Sequence, residues 1–320
     1  MEQTLMFKFS RPAATGICAF SLALLAAPVQ AQDAGMPPDL AGKIADIGRV
    51  IDPPKSAVLY IPLQEKEPYI GVKVLRDVSY GPDARNLLDV FSPASAGAPR
   101  PVLIYVHGGG FVAGNKRAPG SPFYDNIHLW AVRHGMVGVN MTYRLAPAVT
   151  WPSGPQDMGL AVEWVMANIS AYGGDPKRVY LMGNSAGATH VANYLAHVAQ
   201  QKLKDQRIAA AVLLSGIYDL TAYDSPQQLK AYFGDDVARF AERSSLHGLL
   251  KSTVPLLVSH AELDPVIFEK QALQLRDALC QSARGCQTFV VLPKHNHLSQ
   301  VQAINTSDTT LTRHLLGFVK

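Results

Sequence analysis

From residue 72 onward the chain alternates short apolar runs with segments whose apolar positions recur at helical spacing. The runs at 102–106, 137–141, 179–182, 209–214, 255–258 and 288–292 are nearly uninterrupted. Strands buried on both faces need that composition, whereas a half-exposed strand alternates. Ahead of them, 72–78 and 87–91 read as a hairpin turned by Gly81-Pro82-Asp83. Helical spacing covers 123–134, 154–169, 186–201, 266–280 and 299–304, and a closing helix is expected at 310–319. Strand, helix, strand in repetition predicts an α/β fold: a mostly parallel central sheet with helices on both faces, and a ligand site beyond the carboxyl ends of the strands. Two stretches fall outside the repeat. Residues 40–60, which open with helical spacing, and residues 220–250, between two strands, are candidate cap elements over those strand ends. Peripheral packing is the other reading.

The first 31 residues change the picture of the rest. Lys8 and Arg11 precede an apolar run from Ala13 to Ala27, and Pro28-Val29-Gln30-Ala31 offers the small residues a signal peptidase requires. Cleavage after Ala31 is expected, leaving 32–320 as a single domain in the periplasm or outside the cell. An uncleaved anchor fits less well, because the run is short for a span of about 20 residues and no later segment could cross a membrane. Loss of the leader removes Cys18 and leaves Cys280 and Cys286, close enough in sequence to pair in an oxidising compartment. It also lowers the net charge from +4 to +3, since Lys8, Arg11 and Glu2 go with it. So small an excess argues against a nucleic-acid partner.

Gly183-Asn184-Ser185-Ala186-Gly187 follows the strand 179–182 and opens a helix. A serine on a tight strand-to-helix turn is held clear of the sheet, and its neighbours must be small because the backbone is crowded there. The helix that follows aims N–H groups and the positive end of its dipole at a developing oxyanion. His107-Gly108-Gly109-Gly110-Phe111 ends the strand 102–106. Consecutive glycines let the backbone approach a substrate and point successive N–H groups into one spot. No Lys-Ser or Lys-Thr follows them, which excludes a nucleotide P-loop.

A serine nucleophile needs a base, and the base needs an orienting acid. Asp264 follows the strand 255–258, and His297 follows the strand 288–292. Glu262 is the alternative acid, and His295 the alternative base. A base at the edge of the following helix is held more firmly than one in mid-loop, which favours His297. The two histidines lack a third ligand at a supporting spacing, so no metal is expected.

The order Ser, Asp, His at successive strand ends resembles the α/β-hydrolases of the carboxylesterase group, close to hormone-sensitive lipase-like and bacterial feruloyl-esterase-type hydrolases. The resemblance runs from about Val74 to the C-terminus. It rests on Leu88-Asp89-Val90, the glycine loop, Tyr143-Arg144-Leu145-Ala146-Pro147, Gly173-Gly174-Asp175-Pro176, the serine turn, Leu263-Asp264-Pro265 and His297. It implies a catalytic triad of Ser185, Asp264 and His297, and an oxyanion hole built from the N–H groups of Gly109, Gly110 and Ala186. It also implies structural roles for Asp157 and Asp175. His107, Phe111 and Asn184 are the expected substrate contacts. The activity implied is hydrolysis of a small carboxylic ester through an acyl-enzyme, with no cofactor. The same triad can cleave C–N bonds, so an amidase, formamidase or peptidase is the alternative. A binding module that kept the fold without the chemistry is a more distant one.

Overall fold

The computed structural model describes residues 1–2, 35–197, 208–223 and 227–319, and the expected signal segment lies outside them. The chain from Asp33 onward forms one compact unit. Its strands are β1 (Val72–Ser79), β2 (Leu87–Pro93), β3 (Arg100–Val106), β4 (Val137–Met141), β5 (Gly174–Asn184), β6 (Ile208–Leu214), β7 (Leu256–Leu263) and β8 (Thr288–Asn296). They make one eight-stranded sheet in the order β1-β2-β4-β3-β5-β6-β7-β8. The hairpin β1–β2 is antiparallel, as is β2 against β4, and every other pairing is parallel. Interleaved with the strands are α1 (Pro38–Ile47), α2 (Pro53–Tyr60), α3 (Asp125–Arg133), α4 (Ser153–Asn168), α5 (Ala186–Ala196), α6 (Gln227–Phe233), α7 (Phe240–Arg243), α8 (Leu246–Leu249), α9 (Val266–Gln281), α10 (Ser299–Gln302) and α11 (Thr312–Phe318).

The uninterrupted apolar runs follow from burial of the sheet on both sides. Along β3, Val102, Ile104 and Val106 join a core with Met158 and Val162 of α4, Val191 of α5 and Leu275 of α9. The intervening Leu103 and Tyr105 join a second core with Ile127 and Trp130 of α3 and Leu315 of α11. Alternate side chains thus serve opposite faces, and both faces must be apolar.

Two strands run further than their apolar cores suggest. Across an irregularity the β7–β8 pairing resumes at Leu263 with Asn296. Backbone pairing carries both strands through the polar residues beyond their apolar cores and delivers Asp264 and His297 side by side. Among its described residues the 220–250 segment carries three short α-helices, α6 to α8, and two 3-10 turns. Its Leu229, Phe233 and Phe240 pack with Phe111, Ala186 and Ile217 above the strand ends. Arg284 ties the end of this segment to the sheet by donating to the carbonyls of Leu249 and Val254. It lies in the loop closed by the Cys280–Cys286 disulfide.

Candidate active site

Ser185 stands between β5 and α5 with φ 58° and ψ −126°, a conformation that L-residues seldom adopt. The turn holds it there. The Ser185 N–H donates to Leu214 O at 2.9 Å, and its carbonyl accepts from Thr189 N at 3.1 Å. Gly187 lets the turn close against β3, since a Cβ on it would lie 2.1 Å from Val106 O. The sequence pattern around the serine is therefore the residue set this backbone path requires.

The glycine loop approaches from the end of β3. Gly109 has φ 127°, and a Cβ there would sit 2.0 Å from Ala113 O. The loop is anchored at both ends. The Tyr143 hydroxyl donates to His107 O at 2.9 Å. At the far end, Arg85 reaches across from the β1–β2 turn to Gly114 O at 2.9 Å and Tyr143 O at 2.7 Å. Just beyond, the buried Lys116 ammonium lies 2.6 Å from the buried Asp89 carboxylate of β2. Among the described residues, the N–H groups of Gly109, Gly110 and Ala186 meet no acceptor. All three residues line one cavity of about 560 Å³ that also contains Ser185 and His297.

His297 Nδ1 donates to Asp264 Oδ1 at 2.7 Å, and both side chains are buried. The second carboxylate oxygen of Asp264 accepts from Ala261 N at 2.7 Å and from Ser215 Oγ at 2.6 Å. Gln300 Nε2 in turn donates to Ser215 Oγ at 2.7 Å and to His297 O at 3.0 Å. A buried carboxylate with both oxygens bonded holds its imidazole in one tautomer. His297 Nε2 is buried and has no hydrogen-bond partner among the described residues. The Phe268 ring packs against the imidazole with centroids 4.2 Å apart.

Of the expected substrate contacts, Phe111 and Asn184 line the cavity and His107 does not. Phe111 stacks on Tyr232 at 5.0 Å. The Asn184 amide reaches towards Leu214 O and His297 O, at 3.4 Å each. His107 is wholly enclosed behind the loop. Its Nδ1 donates to Gly108 O at 2.6 Å and its ring stacks on Tyr143 at 4.4 Å. Burial lowers its pKa to about 4, which keeps it neutral.

Glu262 accepts from Lys294 N and leaves His297 to Asp264. His295 is also buried but makes no part of the cavity wall. Its Nδ1 pairs with Ser299 Oγ at 3.0 Å, and its Nε2 stands 3.3 Å from Asp308 Oδ2. Asp157 accepts from Arg144 N and Nε, and Asp175 accepts from Lys177 N and Arg178 Nε. Sequence reasoning passed over Ser215 and Gln300. Ser215 could have been found as a polar residue ending a buried parallel strand, whereas nothing in the chain marks Gln300.

Both suspected caps reach the cavity. Ile51 and Pro53 come from the α1–α2 region, and Tyr223 and Leu229 from the segment holding α6 to α8. No Asp, Glu, Lys or Arg is among the residues that line it.

Sheet order, nucleophile turn and placement of the site define an α/β-hydrolase fold. Solved structures agree on this: the chain is similar to esterase B from Lactobacillus rhamnosis, with a TM-score of 0.68 and 19% identity over 88% of this chain and 93% of that one. A hyperthermophilic esterase from Pyrobaculum calidifontis gives a TM-score of 0.67 at 21% identity, covering 90% and 98%. Within that fold the chain belongs to the BD-FAE family, whose profile matches residues 88–279. The match takes in Ser185 and Asp264 and ends before His297. By sequence the chain is similar to esterase LipQ of Mycobacterium tuberculosis, 29% identical over 247 residues, which are 71% of this chain and 58% of the relative. It is also similar to the isoprenylcysteine alpha-carbonyl methylesterase ICME of Arabidopsis thaliana, 33% identical over 166 residues, or 52% and 34%. The chain thus spans little more than half of the first relative and about a third of the second.

Proposed function

We propose that the protein is a serine carboxylesterase acting on small esters. Ser185 is the nucleophile, His297 the base, Asp264 the orienting acid, and Gly109, Gly110 and Ala186 the oxyanion donors. One observation carries the reading. An imidazole tied to a buried carboxylate through Nδ1, with Nε2 unpartnered, shares a cavity with a strained serine and three unused backbone donors. Relatives named as esterases support it.

In this scheme His297 Nε2 takes the Ser185 hydroxyl proton as Oγ attacks the ester carbonyl, and the three N–H groups stabilise the negative oxygen. The carbonyl re-forms, the alcohol leaves with the proton from His297, and an acyl-Ser185 remains. Water then gives a proton to His297 and attacks the acyl carbon. Collapse breaks the bond to Ser185 Oγ, His297 returns its proton to that oxygen, and the acid is released. Asp264 fixes the tautomer and stabilises the imidazolium throughout. No step calls on a cofactor.

We also infer that residues 1–31 direct export to the periplasm or beyond. A disulfide at Cys280–Cys286 suits an oxidising compartment, and among the described residues no helix is long and apolar enough to cross a membrane. Turnover of a matched ester and amide tests the activity. The ester should be hydrolysed faster, and a clear preference for the amide would overturn the assignment in favour of C–N cleavage.

A further inference from the structure

The cavity wall divides into two ends that pack on different cores. Phe111, Ile217, Leu229 and Phe268 belong to the apolar cluster under the cap segment. At the other end, Tyr124 packs on the cluster that holds Tyr60, Phe123 and Ala303, and Gln302 immediately precedes Ala303. Leu298 lies one helical turn before Gln302 and lines the same cavity.

The two ends differ in what their polar groups ask of a ligand. Gln302 is 6% exposed, its Oε1 is enclosed without a partner, and its side-chain amide makes no hydrogen bond among the described residues. Its backbone, by contrast, is secured, since the carbonyl accepts from Gln64 Nε2 at 2.8 Å. The hydroxyl of the half-buried Tyr124, in the same wall, likewise meets no partner among the described residues, although its ring is held against Tyr105. Tyr223 at the cap end is half-buried as Tyr124 is, so of these side chains only the Gln302 amide is enclosed. Buried polar groups are normally paired, and an unpaired one facing a ligand cavity favours the ligand that completes it. The amide and the phenol each can donate and accept, and a hydroxyl is the small neutral group that does both. An ion is not expected, because the wall carries no Asp, Glu, Lys or Arg to balance it.

We propose that Gln302, with Tyr124 beside it, forms a polar subsite for a hydroxyl group of the substrate, so that the ester cleaved is a neutral one carrying a hydroxyl, its apolar part lodged under the cap. This rests on the esterase reading of Ser185 and specifies which esters the site prefers. Gln302 acts on selectivity and takes no part in proton transfer.

The test compares two isosteric pairs on the full chain. One places the hydroxyl in the acyl part: 4-nitrophenyl 6-hydroxyhexanoate against 4-nitrophenyl heptanoate. The other places it in the alcohol: 5-hydroxypentyl acetate against hexyl acetate. In at least one pair kcat/KM should favour the hydroxylated ester by about fivefold or more, the scale of one buried neutral hydrogen bond. Gln302→Met and Tyr124→Phe should each shrink that ratio, and the double variant should bring it to within about twofold of unity. Either single variant suffices if the other does not fold, and fluorophosphonate labelling of Ser185 reports a competent site in each. Absence of preference in both pairs overturns the subsite while leaving the esterase reading intact, as does a preference that survives in every labelled variant. Failure of the native chain to take the label or to hydrolyse any of the four esters overturns both.

Discussion

Two Ser–His–Asp groupings lie side by side in this molecule, and only one has the surroundings for catalysis. In the first, His297 is bonded to Asp264 through Nδ1 and shares a cavity with Ser185. In the second, His295 sits between Ser299 Oγ and Asp308 Oδ2, at 3.0 and 3.3 Å, with all three side chains buried. The chemistry of the side chains is the same. The difference lies in what surrounds them. Both Nε2 atoms lack a hydrogen-bond partner among the described residues, but His297 lines the cavity that also holds Gly109, Gly110 and Ala186, whereas His295 is not among the residues lining that cavity and turns its Nε2 towards Asp308. Ser299 is also committed to the backbone, accepting from Asn296 N at 2.9 Å. Burial alone would push the Asp308 carboxyl up, but His295 and Thr310 hold it below the ordinary range. The second grouping therefore works as a clamp that shapes the loop carrying His297. A triad is defined by access to substrate and oxyanion donors as much as by its three residues.

The contrast breaks most sharply on nucleophile and base. Ser185→Ala and His297→Ala should each lower kcat by roughly 10³-fold or more, because triad members act as a unit. A folded Ser185→Ala protein keeping more than about a tenth of native kcat would end the assignment. Next in size is Ser215→Ala, which leaves Asp264 Oδ2 with only the Ala261 N–H. A charge-assisted bond lost behind the base should cost about tenfold in kcat with KM little changed, read from steady-state kinetics. His295→Asn should leave kcat within about tenfold while lowering Tm, since its loss frees a clamp and no reacting atom. If His295→Asn is inactive and His297→Ala is active, the two groupings have exchanged roles.

Smaller effects separate stability from catalysis. Reducing Cys280–Cys286 opens a loop of sequence separation 6 that precedes β8, whereas His297 follows the other end of that strand. It should cost about 2 kcal/mol by chain entropy, measured by denaturant titration, and change kcat less than it changes stability. Buried histidines outside both groupings set the response to acid. Burial lowers the pKa of His107 to about 4 and of His190 to about 3, from 6.5. The unfolded chain then binds protons first as pH falls, so stability is full above about pH 6.5 and declines towards pH 4 and below. His190→Asn should flatten that slope in Tm against pH; an unchanged slope would place the acid sensitivity elsewhere.

How much of this could be read in the chain depends on how local each cause is. The serine turn was legible because Gly183 and Gly187 answer a steric demand within five residues. The sheet was legible because double-sided burial leaves continuous apolar runs. The choice between His295 and His297 was harder, since both are buried and both stand near a carboxylate. What brings His297 rather than His295 to Asp264 is a pairing between β7 and β8 beyond their apolar cores, and no residue pattern announces that pairing. His107 shows the opposite failure. Its place in the glycine loop suggests contact with substrate, yet the loop turns its ring inward onto Tyr143. The Ser215 and Gln300 side chains and the Gln302 carbonyl make their hydrogen bonds with partners 49 or more residues away in the chain, save for the His297 carbonyl beside Gln300.

The central claim is that one of the two serines flanked by a histidine is a nucleophile and the other is structural. Treating the full chain with a fluorophosphonate and mapping the adduct by peptide mass spectrometry tests it directly. The expected result is one adduct, on Ser185, with ester hydrolysis lost in proportion to labelling and no reaction in the Ser185→Ala protein. An adduct on Ser299, or an unlabelled Ser185 in a protein that still hydrolyses esters, would contradict it.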